Sequence, residues 1–187
     1  MKKPDRKPAV YLRALELGDL KLVHKWHNCE DLYEHLGGTF HYVSESAEQL
    51  WLQERCSFKQ NEVSLAVCDS ISSKHVGNIY LRSIDWVART AVLHIFIGDA
   101  ENRGKGYGHE AAGLLLKHAF HNYNLNRIEL EVLASNRQAV RLYEKCGFIK
   151  EGVLRKRVFK KGLYQDVIIM ALLREDFDRQ QPPGSQP

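Results

Sequence analysis

Apolar residues recur along this chain with two periods. Alternation, or a short apolar run between polar turns, predicts strands over 9–15 (AVYLRAL), 62–68 (EVSLAVC), 75–84 (HVGNIYLRSI), 89–98 (RTAVLHIFIG) and 127–133 (RIELEVL). Spacings of three and four predict helices. Leu20, Val23 and Trp26 mark one, with Asp19 as its N-cap, and SESAEQLWLQERC (44–56) opens another with the Ser46-to-Gln49 spacing of a capping box. Ala111, Ala112, Leu115, Ala119 and Phe120 define a third over 108–123. SNRQAVRLYEKCGF (135–148) is a fourth, stopped by Gly147 where a left-handed C′ residue belongs. GVLRKRVF (152–159) and YQDVIIMALL (164–173) read as a closing hairpin around KKGL, and 30–43 as irregular. Short polar turns join the three strands between 62 and 98, which predicts an antiparallel meander. The element order predicts an α/β (α+β) chain, a mixed sheet with helices on its faces.

Length and composition narrow the class. A chain of 187 residues is expected to form one domain with a real core, here 9–177, between polar proline-containing tails at 1–8 and 178–187. The net charge of +4 helps an anionic ligand approach but falls far short of a nucleic-acid-binding protein's. Cys29, Cys56, Cys68 and Cys146 show no paired or zinc-like spacing and read as reduced thiols. His24 and His27, like His118 and His121, are three apart without a carboxylate pattern, so no metal site is expected. Neither a secretory signal nor an apolar run of the ~20 residues a membrane span needs is evident. A cytoplasmic protein with no membrane or nucleic-acid partner is the expectation.

Candidate chemistry concentrates in DAENRGKGYGHEA (99–111), between a strand and a helix. Gly104, Gly106 and Gly108 let backbone approach a ligand, and the N–H groups of a helix's first turn favour a phosphate. A Walker A loop fails because Gly106 follows Lys105. Gly106 to Ala111 does read GxGxxA, with Glu129 or Glu131 about 20 residues on. A meander precedes it, however, where a dinucleotide fold would begin with this unit.

Arg103-Gly104-Lys105-Gly106-Tyr107-Gly108 also fits [RQ]xxGx[GA], and LEVLASNRQAVRLYEKCGF (130–148) follows as a strand, an Asn and a helix carrying LYExxGF. Both motifs, in this order, resemble the coenzyme A-binding signatures of the GNAT superfamily of N-acetyltransferases. WHN (26–28) and FKKGLYQDVIIMALL (159–173) resemble its ribosomal-protein N-terminal and spermidine acetyltransferase branch. The resemblance implies a mostly antiparallel sheet with a central parallel strand pair, acetyl-CoA as acetyl donor, and a primary amine as acceptor: a protein N-terminus, a polyamine or another small amine. It also implies a homodimer.

Residue roles follow from the same resemblance. The loop residues Arg103, Gly104, Lys105, Gly106, Tyr107 and Gly108 would hold the pyrophosphate, Asn136 the pantetheine arm, and Phe96 and Ile97 the same arm through their main chain. Asn136 also reads as a helix N-cap. Glu131 matches the general base and Tyr143 the acid that protonates the leaving thiolate. A phenol with a pKa of about 10 keeps its proton at neutral pH and can supply it. One departure stands out. Where many relatives carry AEL, this chain has AVL with Val92, which leaves Glu131 or His94 as base. Glu30, Asp31, Glu34, Glu45 and Glu48 are acidic candidates near the acceptor, equally readable as a solvated face. The competing reading is a non-catalytic acyl-CoA-binding module.

Overall fold

The computed structural model describes residues 8–180. Seven strands make one sheet: β1 (Val10–Ala14), β2 (Val63–Asp69), β3 (His75–Asp85), β4 (Thr90–Ile97), β5 (Arg127–Leu133), β6 (Ile149–Lys160) and β7 (Leu163–Leu173), in the order β1-β2-β3-β4-β5-β7-β6. Every pairing is antiparallel except β4 with β5. The meander is β2-β3-β4, and the final hairpin turns at Lys161 and Gly162, both at positive φ.

Alternation in the strands separates two faces. Ala91 and Leu93 of β4, with Ile128, Leu130 and Val132 of β5, enter one apolar cluster. It also takes Ala111, Ala112, Leu115 and Leu116 of α4 (Tyr107–Lys117), Tyr143 of α5 (Arg137–Lys145) and Cys146, which caps the end of α5. The opposite face packs Ala66, Cys68 and Tyr80 against Leu52 of α3 (Glu45–Cys56), with Trp51 and Phe96 at the margin. Trp26 of α1 (Leu20–His27) meets Phe96 edge-on with ring centroids 5.8 Å apart. Burying such side chains supplies about 1.5–3 kcal/mol each before entropy is counted.

Several helix ends differ from expectation. Ser44, not Ser46, caps α3, its hydroxyl accepting Ala47 N–H at 3.2 Å. Asp19 makes no cap bond to α1. Its carboxylate is taken by Arg13 at 2.7 and 2.8 Å, by Glu16 N–H and by His75. Burial alone would raise its pKa, but the Arg13 and Glu16 hydrogen bonds bring it down to about 2. The segment 30–43 holds a short helix, α2 (Glu30–Tyr33). After Lys117 the helix backbone widens into a π turn over His118–Asn122. The boundary placed at 177 falls inside α6 (Arg174–Gln180), whose Phe177 is buried against Phe120 and whose Asp178 meets His121 at 3.2 Å. The remainder of the expected tails, 1–7 and 181–187, lies outside the described residues.

Candidate active site

Past β4 the chain makes a short turn and enters α4 through the glycine loop. Gly104 and Gly106 hold φ of +74° and +88°, and a Cβ on either would meet nothing within 4 Å. Their conformation needs glycine, and the space beside them is open. From Gly104 to His109 the backbone N–H groups donate to no described residue; the first bond into α4 is Glu110 N–H to Gly106 O at 3.1 Å. A run of free donors at a helix N-terminus suits a phosphate group, so the residues of this loop would fit the diphosphate of the coenzyme that the family resemblance implies. Tyr107 and Gly108 belong to the helix start, and Lys105 is exposed, its ammonium 3.3 Å from Asn102 Oδ1. Tyr107 Oη donates to Asp69 Oδ2 at 2.6 Å. That bond, with those from Ser72, holds the Asp69 carboxyl well below its usual range and raises the Tyr107 phenol.

Arg103 turns inward. Its N–H donates to Ala100 O, and its guanidinium to Ile97 O at 3.2 Å and Gly98 O at 2.7 Å. The side chain therefore braces the end of β4. Gly98 lies against Trp26 so closely that a Cβ would stand 2.0 Å from the ring, and a Cβ on Gly77 would stand 2.2 Å from Phe96 O. Phe96 and Ile97, the two main-chain candidates, are thus fixed in place.

The central feature is a gap in the sheet. β4 and β5 pair only through Thr90, Ala91 and Val92 against Arg127, Ile128 and Glu129. Beyond that the strands part, and among the described residues the edge of β4 facing β5 has no strand partner from Leu93 to Ile97. On the face away from α4 a cleft of about 600 Å³ opens, lined by Val92, His94, Arg127, Glu129, Leu130, Glu131, Glu151, Gly152 and Ile169. Glu131 is exposed and forms no ion pair among the described residues. Arg127 instead grips Glu151 at 2.8 and 2.5 Å and Glu129 at 3.3 and 3.2 Å. His94 is exposed at the cleft, while desolvation by its neighbours and the nearby Arg82 charge lower its pKa below the usual value.

Tyr143 lies on the other face, 7% exposed, in the cluster beneath α4. Burial raises its phenol above the usual value, so the proton stays on. The structure does not set Glu131 and Tyr143 side by side: the gap between β4 and β5 separates their faces. Asn136 takes up the N-cap place that the sequence also suggested. Its Oδ1 caps α5 by accepting Ala139 N–H at 3.1 Å, and its Nδ2 donates to His35 O at 2.9 Å.

The segment between α2 and α3 is strapped down by the final hairpin. Lys160 Nζ donates to Tyr33 O and Gly38 O at 2.5 and 2.7 Å, and Lys161 pairs with Glu34. Asn28, in the WHN stretch, binds both polar groups of the Val43 backbone. Glu48, among the acidic candidates, is 1% exposed and committed to His27 at 2.9 Å. The paired histidines diverge: His24 reaches Val43 O, His118 Asn122, and His121 Asp178. Sequence reasoning missed Arg127 and Glu151. The parity of Arg127, Glu129 and Glu131 was a usable signal; Glu151 enters through a β-bulge that no pattern marks.

Comparisons with known proteins identify the family. The family model described as the acetyltransferase (GNAT) domain matches residues 9–149. The chain belongs to the GNAT acetyltransferase family. It is 32% identical over 166 residues to the spermidine N(1)-acetyltransferase of Vibrio cholerae, covering 89% of this chain and 94% of that one. With the Escherichia coli (strain K12) spermidine N(1)-acetyltransferase it shares 31% over 171 residues, 90% and 88% of the two chains. The solved V. cholerae spermidine N-acetyltransferase in complex with CoA and spermine superposes with a TM-score of 0.84 at 30% identity, covering 91% and 99%. The protein is an N-acetyltransferase with acetyl-CoA as its acetyl donor, and the glycine loop is where this chain's residues suit that donor. No helix among the described residues is long and apolar enough to cross a membrane.

Proposed function

We propose that this enzyme acetylates a primary amine of a small di- or polyamine, with Glu131 as base and Tyr143 as acid. The observation that carries the reading is the carboxylate-lined cleft opening onto the gap between β4 and β5. Acetyl-CoA supplies the thioester. Glu131, unpaired in the cleft, takes the proton of the bound ammonium directly or through a water, freeing the lone pair that forms the C–N bond. Tyr143, protonated and on the far side of the gap, gives its proton to the sulfur as the C–S bond breaks. The second proton, shed by the new amide nitrogen, passes through water to the Tyr143 phenolate, and Glu131 returns its proton to solvent. Main-chain groups of Phe96 and Ile97 and the free N–H groups of the loop hold the donor while this happens. The names of the relatives support the acceptor class: spermidine for the V. cholerae and E. coli enzymes. A homo-oligomer is the proposed assembly, since the V. cholerae enzyme also has a structure described as dodecameric.

The test is thiol release from acetyl-CoA with spermidine, diamines, simple monoamines and short peptides as acceptors. Turnover is expected with di- and polyamines, falling by about 100-fold or more in Glu131→Gln and in Tyr143→Phe, with acetyl-CoA binding retained. Turnover confined to peptides, or unchanged in both variants, would overturn the reading.

A further inference from the structure

We infer that Arg127 is a specificity-determining residue of the cleft: its guanidinium fills the place that the second cation of a di- or polyamine would take between Glu129 and Glu151. It thereby sets how strongly the enzyme favours such acceptors over singly charged amines. The inference rests on the acceptor reading above and deepens it.

Register and spacing argue for it. Arg127, Glu129 and Glu131 share one face of β5, each step about 7 Å along the strand. A few methylene groups can bridge that distance between two ammonium ions. Glu151 joins them because the β6–β7 register shifts between Lys150 and Gly152, and the residue at the bulge lines the same cleft. Arg127 then lies between two carboxylates, hydrogen-bonded to both. The charge count argues the same way. Three carboxylates line the cleft, one guanidinium answers two of them, and Glu131 pairs with no cation among the described residues.

Exposure makes exchange feasible. The side chains of Arg127, Glu129 and Glu151 are 26%, 42% and 44% exposed, and ion pairs open to water are weak enough for a ligand cation to replace the resident one. Glu129 holds the guanidinium at the longer distances and would be released first. Nearby Arg82 does not compete, because β3 directs it to Glu62 at 2.5 Å.

The experiment compares kcat/KM for 1,5-diaminopentane and pentylamine at saturating acetyl-CoA in wild type, Arg127→Met, Arg127→Lys and Glu151→Gln. In Arg127→Met the diamine-to-monoamine ratio should rise about three- to tenfold, mainly through the diamine KM. Arg127→Lys should stay near wild type, and Glu151→Gln should lower the ratio. Glu151→Gln keeps the test decisive if Arg127→Met fails to fold. A ratio within about twofold of wild type in both Arg127→Met and Glu151→Gln, or one that moves opposite to these directions, would overturn the role of Arg127. A wild type that acetylates neither amine would overturn the acceptor reading on which it stands.

Discussion

Asn136→Ala separates two roles for a residue that the family resemblance links to the pantetheine arm. In the structure its amide is spent on the protein, as the cap of α5 and as a donor to His35 O. Loss of an Asn cap costs about 1 kcal/mol, and loss of a half-exposed hydrogen bond about 0.5–1.5 kcal/mol. The sum, about 1.5–2.5 kcal/mol, corresponds to a fall in Tm of roughly 3–10 °C for a chain of this length. Asn136→Asp keeps an oxygen for the cap but loses the donor to His35, and should show about half the effect. Thermal unfolding followed by circular dichroism, beside the KM for acetyl-CoA, reads both roles. A Tm within about a degree of wild type would refute the cap-and-strap account. A KM raised tenfold at unchanged Tm would return Asn136 to the donor site.

Gly106→Ala meets no protein atom but must hold a left-handed φ, costing about 1–2 kcal/mol. Its methyl would also stand beside the free N–H groups, so the KM for acetyl-CoA should rise more than the loss of stability explains; an unchanged KM would remove the loop from donor binding. His94 predicts a pH dependence. Its native pKa lies below the ordinary value of about 6.5, through desolvation by its neighbours and the Arg82 charge, so the unfolded chain binds its proton more readily. Stability tied to His94 is intact above about pH 6.5 and declines as pH falls through the unfolded and then the native value. Tm measured from pH 7.5 to 5 should therefore fall less in His94→Gln than in wild type, and parallel curves would contradict this.

What the sequence made legible follows the strength of each local signal. Alternation placed the strands from β2 to β5, each of which buries one face or both, whereas no residue of β6 is buried and the hairpin signal placed it. Periodicity likewise placed α4 and α5. Helix starts were harder, since Ser44 and Ser46 both suit a cap, and only the chain direction entering α3 selects Ser44. Asp19 has the composition of a cap, but Arg13 and His75, brought near by the sheet, outbid the helix for its carboxylate. Arg103 fitted the loop motif, while its side chain answered carbonyls that only the end of β4 presents. α6 escaped notice because REDFDRQ carries one apolar residue, Phe177, too few to show a period. The parallel pair of β4 and β5 came from the family resemblance alone, because the residues between them do not state which strand the chain returns beside.

The departure at Val92 acquires a physical meaning from the same pairing. Val92 sits directly opposite Glu129 in the short parallel register, and both residues line the cleft. A carboxylate missing from β4 is therefore matched by one on the neighbouring strand, across the line where the sheet begins to open. This shift puts the cleft's negative charge on β5 and on the β6 bulge, within reach of Arg127, instead of on the donor strand. The β4 side is left with a methyl-bearing residue and a weakly basic His94. On the proposed reading, an ammonium drawn to Glu129, Glu131 and Glu151 would approach the gap from the β5 side, while the braced end of β4 and the glycine loop would serve the donor. That reading assigns the two substrates to opposite lips of one opening and needs no carboxylate on β4.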